Sequence, residues 1–410
     1  MTADYAAFAA TLTASGVISD PWFEGQPRFQ PAPVILRQEE QAALYRAAEE
    51  MAAAYNELCL LCARQPSLAA GFLGLTPVQQ ALWCASAPRW HGIARADVFV
   101  AAEGLRICEL NCDTPTGEAE AVLLNEAVAA DFPNLLDPNR ELGSRFCAMI
   151  DALAGGARSA GLIYPTEMTE DLPMVLLYRR WLEQRGFTVT LGSPFNLRAL
   201  PGGRAALFDT PCDLFLRHYK TDWWTEREPA WADEEPVPDA GPLGEQLAII
   251  LRAALAGTCA VVNPFGAVVP QNKRSMALMW ERIDLFPDAA ACAIRAYLPE
   301  TRRLEAMPRA QLAAERERWV LKSDYGCEGD EVLVGAETSP EDWSAALELA
   351  VPGRWIAQRR FHAARSADGA FVNHGVFLVG GKAAGLYARV SRAATDRHAL
   401  SAPVLVEARA

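Results

Sequence analysis

The stretch spanning residues 160–224 constrains the fold most, because it alternates strand and helix patterns over a short length. An apolar run at 162–164 precedes a helical pattern over 172–184, which is followed by a second strand pattern at 187–191. Two strands joined through one helix form a βαβ unit, whose strands run parallel in one sheet. A further apolar run at 213–217 predicts another strand of that sheet. We therefore predict a small Rossmann-like domain.

The rest of the chain mixes helix and strand patterns. Residues 38–63 predict one long amphipathic helix, rich in Ala, Glu and Leu, and residues 97–111 predict a β-hairpin. A Pro-rich and acidic stretch at 226–242 predicts an exposed connection, after which a helix begins the last third. The last third ends in a run of predicted strands at 319–322, 331–334, 355–358, 372–379 and 382–390. The predicted fold class therefore combines α+β and α/β units.

Charge and composition limit the classes of function. The 410 residues include 38 Lys and Arg against 51 Asp and Glu, which argues against nucleic acid or an anionic membrane as the main partner. The first residues lack a secretory pattern and no stretch is apolar for the length of a bilayer, so we expect a cytoplasmic protein. The ten cysteines are scattered, and we expect them reduced, with Cys59 and Cys62 packing in the core rather than binding metal.

Polar side chains flank the predicted hairpin, and their geometry depends on its turn. The four are Arg95, Asp97, Glu109 and Asn111. A two-residue turn at 103–104 places the two carboxylates on opposite faces. A three-residue turn at 102–104, with its glycine in the left-handed conformation, pairs Asp97 with Glu109 and Arg95 with Asn111. In that second arrangement all four side chains share one face.

Two carboxylates and an amide oxygen on one sheet face form an oxygen-only site of the kind that suits Mg²⁺, which takes the rest of its ligands from water and phosphate. An arginine beside them can hold a phosphate or a substrate carboxylate. The alternative interpretation is a solvated hairpin whose cross-strand charge pairs contribute little. The spacing alone leaves both interpretations open.

The hairpin belongs to a longer ordered motif, Arg95-x-Asp97 followed by Glu109-x-Asn111-x-Asp113-Thr114-x-Thr116. Further elements follow in order: Asn272-Lys273 opening a helix, Lys322 ending a strand, Tyr325-Gly326-Cys327-Glu328-Gly329, Trp355-Ile356-Ala357-Gln358, and Gly380-Gly381-Lys382 before Arg389. This order resembles the synthetase portion of the glutathionylspermidine synthase family of ATP-grasp ligases. The resemblance covers most of the chain from about Arg95 to Arg389.

The resemblance implies an ATP-grasp fold with an inserted Rossmann-like pre-ATP-grasp domain. The implied units are residues 1–125, with the N-terminal helices and the hairpin, the inserted domain at 126–242, and a C-terminal ATP-grasp domain at 243–410. ATP and Mg²⁺ are the implied cofactors. The implied metal ligands are Asp97, Glu109 and Asn111. The implied nucleotide-binding residues are Lys273, Lys322, Gly326, Gly329 and Gln358. The implied substrate contacts are Thr114, Thr116 and Cys327, and the implied catalytic residues are Arg95 and Arg389.

In that family a carboxylate attacks the γ-phosphoryl group of ATP, and an amine then displaces phosphate to form an amide. The resemblance thus implies an ADP-forming carboxylate-amine ligase acting on a small-molecule or peptide acid and an amine. The family loop carries Arg where this chain has Cys327, which removes a positive charge from the reacting carboxyl. An ATP-binding protein without ligase activity and a phosphotransferase are the alternatives. Residues 216–224 also resemble a family segment, bordering either the substrate cleft or a domain interface.

Overall fold

The computed structural model describes residues 3–225, 229–235, 243–326, 331–366, 368–392 and 399–408. Helices are distributed along the whole of this length. They are α1 (Ala3–Ala14), α2 (Gln38–Arg64), α3 (Pro66–Leu73), α4 (Pro77–Ser86), α5 (Glu118–Val128), α6 (Leu142–Ala154), α7 (Leu172–Gln184), α8 (Thr221–Thr225), α9 (Gly244–Leu255), α10 (Val268–Gln271), α11 (Arg274–Glu281), α12 (Asp288–Tyr297), α13 (Arg309–Ala314) and α14 (Pro340–Leu349).

The strands form several separate sheets. In chain order they are β1 (Trp22–Phe23), β2 (Gln26–Pro27), β3 (Val34–Leu36), β4 (Ile93–Ala101), β5 (Gly104–Asn111), β6 (Leu135–Leu136), β7 (Ser159–Ile163), β8 (Thr188–Gly192), β9 (Leu197–Leu200), β10 (Arg204–Leu207), β11 (Thr210–Cys212), β12 (Leu214–Arg217), β13 (Ala260–Val262), β14 (Thr301–Arg303), β15 (Trp319–Ser323), β16 (Val332–Val334), β17 (Trp355–Arg359), β18 (Phe371–Val379), β19 (Lys382–Ser391), β20 (Leu400–Ala402) and β21 (Val404–Glu407). Three of these sheets position the site.

The predicted Rossmann-like unit is confirmed as a parallel sheet with the strand order β13-β12-β7-β8. Helix α7 connects β7 to β8 and buries Val175, Tyr178 and Leu182 in the core of this unit. The chain adds β8 on one side of β7 and then β12 and β13 on the other, so the strand order reverses between β7 and β12. The sheet also includes β13, because the apolar residues of β13 pair with β12. This strand lies beyond the predicted domain end at residue 242.

A five-stranded antiparallel sheet, β20-β19-β18-β4-β5, contains the predicted hairpin. Ala94, Ala96 and Val98 alternate along β4 and share one apolar core with Met51 of α2. Helix α2 agrees with its predicted range, and the carboxylate of Glu40 accepts the backbone N–H of Arg37 at 2.8 Å at its start. Because successive strand residues point to opposite faces, the odd-numbered residues of β4 face away from α2. The predicted polar residues lie on that second face.

A third sheet, β14-β17-β15-β16, is antiparallel and has its own core, which includes Trp343 and Trp355. The indole N–H of Trp355 donates to the carbonyl of Ala230 at 2.7 Å, and the rings of Trp231 and Trp355 lie 4.2 Å apart. The prediction of an exposed connection is therefore wrong for Ala230, which is buried because its neighbour packs an aromatic ring on this sheet. Residues 226–228 and 236–242 of that stretch lie outside the described residues.

Cys59 and Cys62 lie on the buried face of α2 and pack in the core, as predicted. The nine cysteines within the described ranges are free thiols. No described helix combines the length and the apolar character that crossing a membrane requires.

Candidate active site

The hairpin between β4 and β5 closes in a way that neither predicted turn anticipated. Its turn is the two residues 102–103, with Ala101 pairing with Gly104, whose φ of 107° lies in the region that favours glycine. The register then shifts by one residue at Cys108, which is an extra residue on β5. This β-bulge is the feature that the sequence did not reveal.

Beyond the bulge, Asp97 pairs with Glu109, and Arg95 pairs with Asn111. This is the pairing expected from a three-residue turn, because the bulge adds the residue that the shorter turn omits. The prediction that these four side chains share one face is confirmed. Arg389 belongs to the same sheet, where it pairs with Asn373, which in turn pairs with Phe99 of β4.

Arg95 binds Asp97 and the predicted substrate segment at the same time. Its Nε and Nη2 donate to the two carboxylate oxygens of Asp97 at 2.7 and 3.1 Å, and its Nη1 donates to the carbonyl of Thr116 at 2.6 Å. Burial alone would lower the pKa of Arg95, but the charge of Asp97 outweighs it and raises that pKa. Arg95 is therefore a fixed cation between the hairpin and Thr116.

Lys273 and Lys322 approach the hairpin from other parts of the fold. The ammonium of Lys273 lies 3.6 Å from a carboxylate oxygen of Glu109 and also donates to the carbonyl of Gly326. The ammonium of Lys322, at the end of β15, donates to the carbonyl of Cys108 at 3.2 Å. Burial raises the pKa of Glu109, but the two lysines outweigh it and hold that pKa below its usual value. Glu109 is therefore an anion held between two cations.

The oxygens on this face suit a magnesium ion. Asp97 and Glu109 supply carboxylates, and Asn111 supplies an amide whose buried nitrogen has no hydrogen-bond acceptor among the described residues. Mg²⁺ takes one or two carboxylates and completes its octahedral shell with water and substrate phosphates. Within the described ranges, no group of three or more His, Cys, Asp or Glu side chains is placed to hold a metal. Two carboxylates and one amide oxygen match the small number of protein ligands that Mg²⁺ takes when phosphate supplies others.

Other predicted residues lie apart from this cluster. The amide of Gln358 is buried and donates to the hydroxyl of Thr301 at 3.1 Å, so its side chain faces a neighbouring strand. Thr114 lines a cavity of about 20 Å³ on the side of the Rossmann-like sheet. Cys327 and Gly329 lie outside the described residues. Their roles, like that of Gln358, stay predictions.

A cavity of about 410 Å³ lies between the Rossmann-like sheet and the third sheet, and its lining includes Gly326 and part of the segment 216–224. Acidic side chains in its lining include Asp222, Asp324 and Glu331. Burial raises the pKa of Asp222 to about 6, while Asp324 accepts two hydrogen bonds from Arg354 at 2.8 and 3.0 Å. The segment 216–224 thus borders a cleft, and a role of this cleft in substrate binding stays a prediction.

The same segment also forms a domain contact that the sequence did not assign to particular residues. Arg217, at the end of β12, donates to Asp113 at 2.5 Å, and both side chains are almost fully buried. Asp113 also accepts the backbone N–H and the hydroxyl of Thr221 at 2.6 and 2.7 Å. A charged residue that ends an apolar strand needs a buried partner, so the strand pattern could have indicated that Arg217 is paired but not that Asp113 is its partner.

Asn263 is a second residue that the sequence did not single out. Its side-chain oxygen accepts the N–H groups of Gly92 and Ile93 at 2.6 and 3.0 Å, and its Nδ2 donates to the carbonyls of Ile93 and Cys112 at 2.8 Å each. Both edges of the hairpin base are thereby attached to the end of β13. The structure thus fixes the polar face of the hairpin relative to the Rossmann-like sheet.

Glu118, which begins α5 just after Thr116, provides a pH-dependent test of this packing. Its side chain is fully buried, Tyr178 donates to its Oε1 at 2.9 Å, and burial raises the pKa of the carboxyl from 4.5 to about 7. Because the folded state holds this proton more tightly, the stability that Glu118 contributes is complete below pH 4.5 and is lost as the pH rises through 7.

We expect the free energy of unfolding of the wild type, relative to Glu118→Gln, to fall by about 2 to 3 kcal/mol between about pH 5 and about pH 8.5. Urea unfolding at both pH values measures this difference, and titrations common to both proteins cancel. A constant difference across the pH range would contradict the prediction.

Comparison with known proteins agrees with this architecture. Residues 239–407 match the family model described as glutathionylspermidine synthase preATP-grasp. The fold is similar to a glutathione synthetase like-effector from Globodera pallida, with a TM-score of 0.59 at 10% identity over 97% of this chain and 95% of that chain. A putative gamma-glutamylcysteine synthetase from Methylobacillus flagellatus KT gives a TM-score of 0.47 at 14% identity over 88% and 85%.

No curated protein sequence matches the chain. The likeness to the Globodera pallida effector covers nearly the full length of both proteins and shows the fold. The predicted fold class, a mixed α/β ATP-grasp architecture with a Rossmann-like unit, is confirmed. The resemblance to the glutathionylspermidine synthase family is likewise confirmed, with the family match located in residues 239–407.

Proposed function

We propose that this protein is an ATP-dependent ligase that joins a carboxylate to an amine through an acyl phosphate and releases ADP. The observation that supports the proposal best is that two carboxylates and two lysine ammonium groups meet on one face of the hairpin. Asp97 and Glu109 supply anions there, and Lys273 and Lys322 reach the same place from other parts of the fold. Phosphoryl transfer needs such a site, because its catalysis is mainly positioning and charge neutralisation.

Each group has a distinct role in the proposal. Asp97, Glu109 and Asn111 would hold Mg²⁺, which when bound neutralises phosphate charge. Lys273 and Lys322 would exchange their present partners, Glu109 and the carbonyls of Gly326 and Cys108, for phosphate oxygens. A phosphate is a stronger partner than the two carbonyls, because hydrogen bonds between two charged groups exceed those to a neutral carbonyl. The carboxylate of Glu109 would turn from Lys273 to the metal.

The acyl group would lie beside Arg95 and Thr116, which already bind each other. Arg95 is the fixed positive charge that can stabilise the acyl phosphate and the tetrahedral oxyanion, with Arg389 two strands away on the same sheet. Thr114, two residues before Thr116 in the same segment, would contact the same substrate. The substrate class is a small-molecule or peptide acid, and glutathione and γ-glutamylcysteine deserve a trial because the names of the similar proteins contain them.

The test is incubation of the full chain with ATP, Mg²⁺ and a pool of acids that contains amino acids, glutathione and γ-glutamylcysteine. Hydroxylamine serves first as the nucleophile, because it converts any acyl phosphate into a hydroxamate that mass spectrometry detects. A pool of alkylamines, diamines and amino acids then replaces it. We expect ADP together with a hydroxamate or an amide, and only when acid and nucleophile are both present.

Two results would contradict the ligase. ADP accompanied by a phosphorylated product, with neither hydroxamate nor amide, would show a phosphotransferase. Thermal stabilisation by ATP and Mg²⁺ without ADP from any acid would show a nucleotide-binding protein that lacks this chemistry.

A further inference from the structure

His218 and Asp171 form a polar pair at the carboxyl ends of the parallel strands, and the roles proposed so far do not involve it. The backbone N–H of His218, directly after β12, donates to the carbonyl of Ile163, the last residue of β7, at 2.7 Å. These two strands flank the point at which the strand order reverses. In open α/β sheets, ligands bind in the crevice outside the strand ends at this point.

The pair has the geometry of an oriented imidazole. Nε2 of His218 lies 3.2 Å from Oδ1 of Asp171, which belongs to the short turn before α7, and the side chains are 11% and 19% exposed. A carboxylate on Nε2 favours the tautomer that carries the proton there. The lone pair of Nδ1 is then the one that can accept another proton.

A small cavity connects this imidazole with the predicted substrate segment. Thr114, Pro115, Tyr178 and His218 all line it, and its volume is about 20 Å³. That is room for about one water molecule. The segment continues to Thr116, which binds Arg95. The imidazole therefore lines the same small cavity as the first residues of the segment proposed to bind the acyl substrate.

The ligase reaction requires a proton acceptor on that side. An alkylamine is mostly protonated at neutral pH, and an ammonium group has no lone pair with which to attack. A positioned base contributes typically about 10²- to 10⁴-fold to such a step. The cations already described, Arg95, Lys273 and Lys322, favour the leaving phosphate but cannot remove this proton.

We propose that His218, oriented by Asp171, takes the proton from the attacking amine, an inference that rests on the proposed ligase function. The ammonium first gives one proton to Nδ1, directly or through one water, and solvent then receives it from the imidazole. The freed lone pair of the nitrogen forms a bond to the acyl carbon while the bond from that carbon to the phosphate oxygen breaks. Phosphate leaves with that electron pair and takes up the second proton that the nitrogen loses as the amide forms. Asp171 acts as a positioning residue.

Other titratable and charged groups surround the pair and have to be separated from it. Asp171 lies before α7, Tyr178 lies on α7 and donates to Glu118 of α5, and the neighbouring Arg217 is neutralised by Asp113. The charge of Arg95, on the hairpin, lowers the pKa of the Glu118 carboxyl but does not outweigh burial. Glu118 is the competing base, because burial raises its pKa to about 7.

The experiment compares two nucleophiles in the full-length wild type, His218→Asn and Asp171→Asn, with the acid and amine pools of the ligase assay. Hydroxylamine has a free lone pair near neutral pH and needs no base. We expect hydroxamate formation in His218→Asn to stay within about 3-fold of wild type, while amide formation with alkylamines falls about 10²-fold. Asp171→Asn should lower amide formation alone by about 10-fold with an unchanged KM for the amine.

The pH dependence provides the second readout. In His218→Asn, amide formation should follow the concentration of free alkylamine alone and rise about tenfold per pH unit near neutrality, so that alkaline pH recovers part of the loss, while Glu118→Gln should keep the pH profile of the wild type. Equal losses with hydroxylamine and alkylamines would make His218 structural and overturn the inference while leaving the ligase intact. The same tenfold rise in Glu118→Gln, with a wild-type profile in His218→Asn, would assign the base to Glu118 instead. A wild type that forms no hydroxamate would overturn the ligase itself.

Discussion

Glu109→Gln is expected to lower the rate of ADP formation by about 10²- to 10³-fold, because it removes a negative charge from the proposed magnesium site. The glutamine has nearly the same shape, and Glu109 is 30% exposed, so the variant should fold. Raising the Mg²⁺ concentration should restore part of the activity, because Asp97 and Asn111 remain. Asp97→Asn should lose a similar amount of activity and also stability, since its carboxylate is the partner of Arg95.

The matched control is Glu183→Gln, which also removes one carboxylate charge from an ion pair. Glu183 accepts from Arg179 at 2.7 Å on the exposed side of α7, and exposed pairs contribute little. Its ADP formation and its dependence on Mg²⁺ should equal those of the wild type. If Glu109→Gln turned over ATP as fast as Glu183→Gln at low Mg²⁺, Glu109 would not be a metal ligand.

Much of the fold followed from local patterns. Helix α7 and the strands around it were predictable because the change from strand to helix periodicity is strong there, and α2 because it has no internal breaker. The exposed connection was predicted wrongly at Ala230, because composition cannot show that a neighbouring tryptophan will pack on a distant sheet. The extent of the Rossmann-like sheet was also underestimated, since β13 joins it from a part of the chain separated by helix α9.

The candidate site was predictable in its members but not in its construction. The spacing of Asp97 and Glu109 allowed a shared face, yet the bulge at Cys108 has no distinctive composition, so the turn was wrong while the pairing was right. The residues that attach the hairpin to the rest of the protein were missed for another reason. Asp113 and Arg217 are 104 positions apart, and a single sequence carries no local signal for such a distant contact.

The two contacts that the sequence did not reveal, those of Asn263 and of Asp113, are related in function. The hairpin presents the polar face, but Asn263 and Asp113 fix where that face lies relative to the Rossmann-like sheet and therefore relative to His218. Reacting groups have to be placed within a fraction of an ångström, and small displacements cost large factors in rate. Changes at these buried contacts should therefore reduce activity even though none of them is proposed to contact ATP.

Arg217→Met should lower the free energy of unfolding by about 3 to 5 kcal/mol, because it leaves the carboxylate of Asp113 buried without its charged partner. The Arg217 side chain is fully buried, and among the described residues Asp113 would retain the two hydrogen bonds from Thr221. Urea unfolding followed by tryptophan fluorescence measures the loss. The matched control is Arg179→Met, whose exposed pair with Glu183 should contribute about 0.5 kcal/mol or less.

The double variant Arg217→Met with Asp113→Asn separates the two possible causes of this loss. If the loss comes from an uncompensated charge, neutralising Asp113 should recover a large part of it, since replacing both members of a buried pair costs much less than removing one. If it comes from lost packing of the guanidinium, which lies 4.9 Å from the Phe265 ring, the second change should recover nothing. Full recovery of stability without recovery of ADP formation would show that the ion pair places the hairpin as well as stabilising the fold.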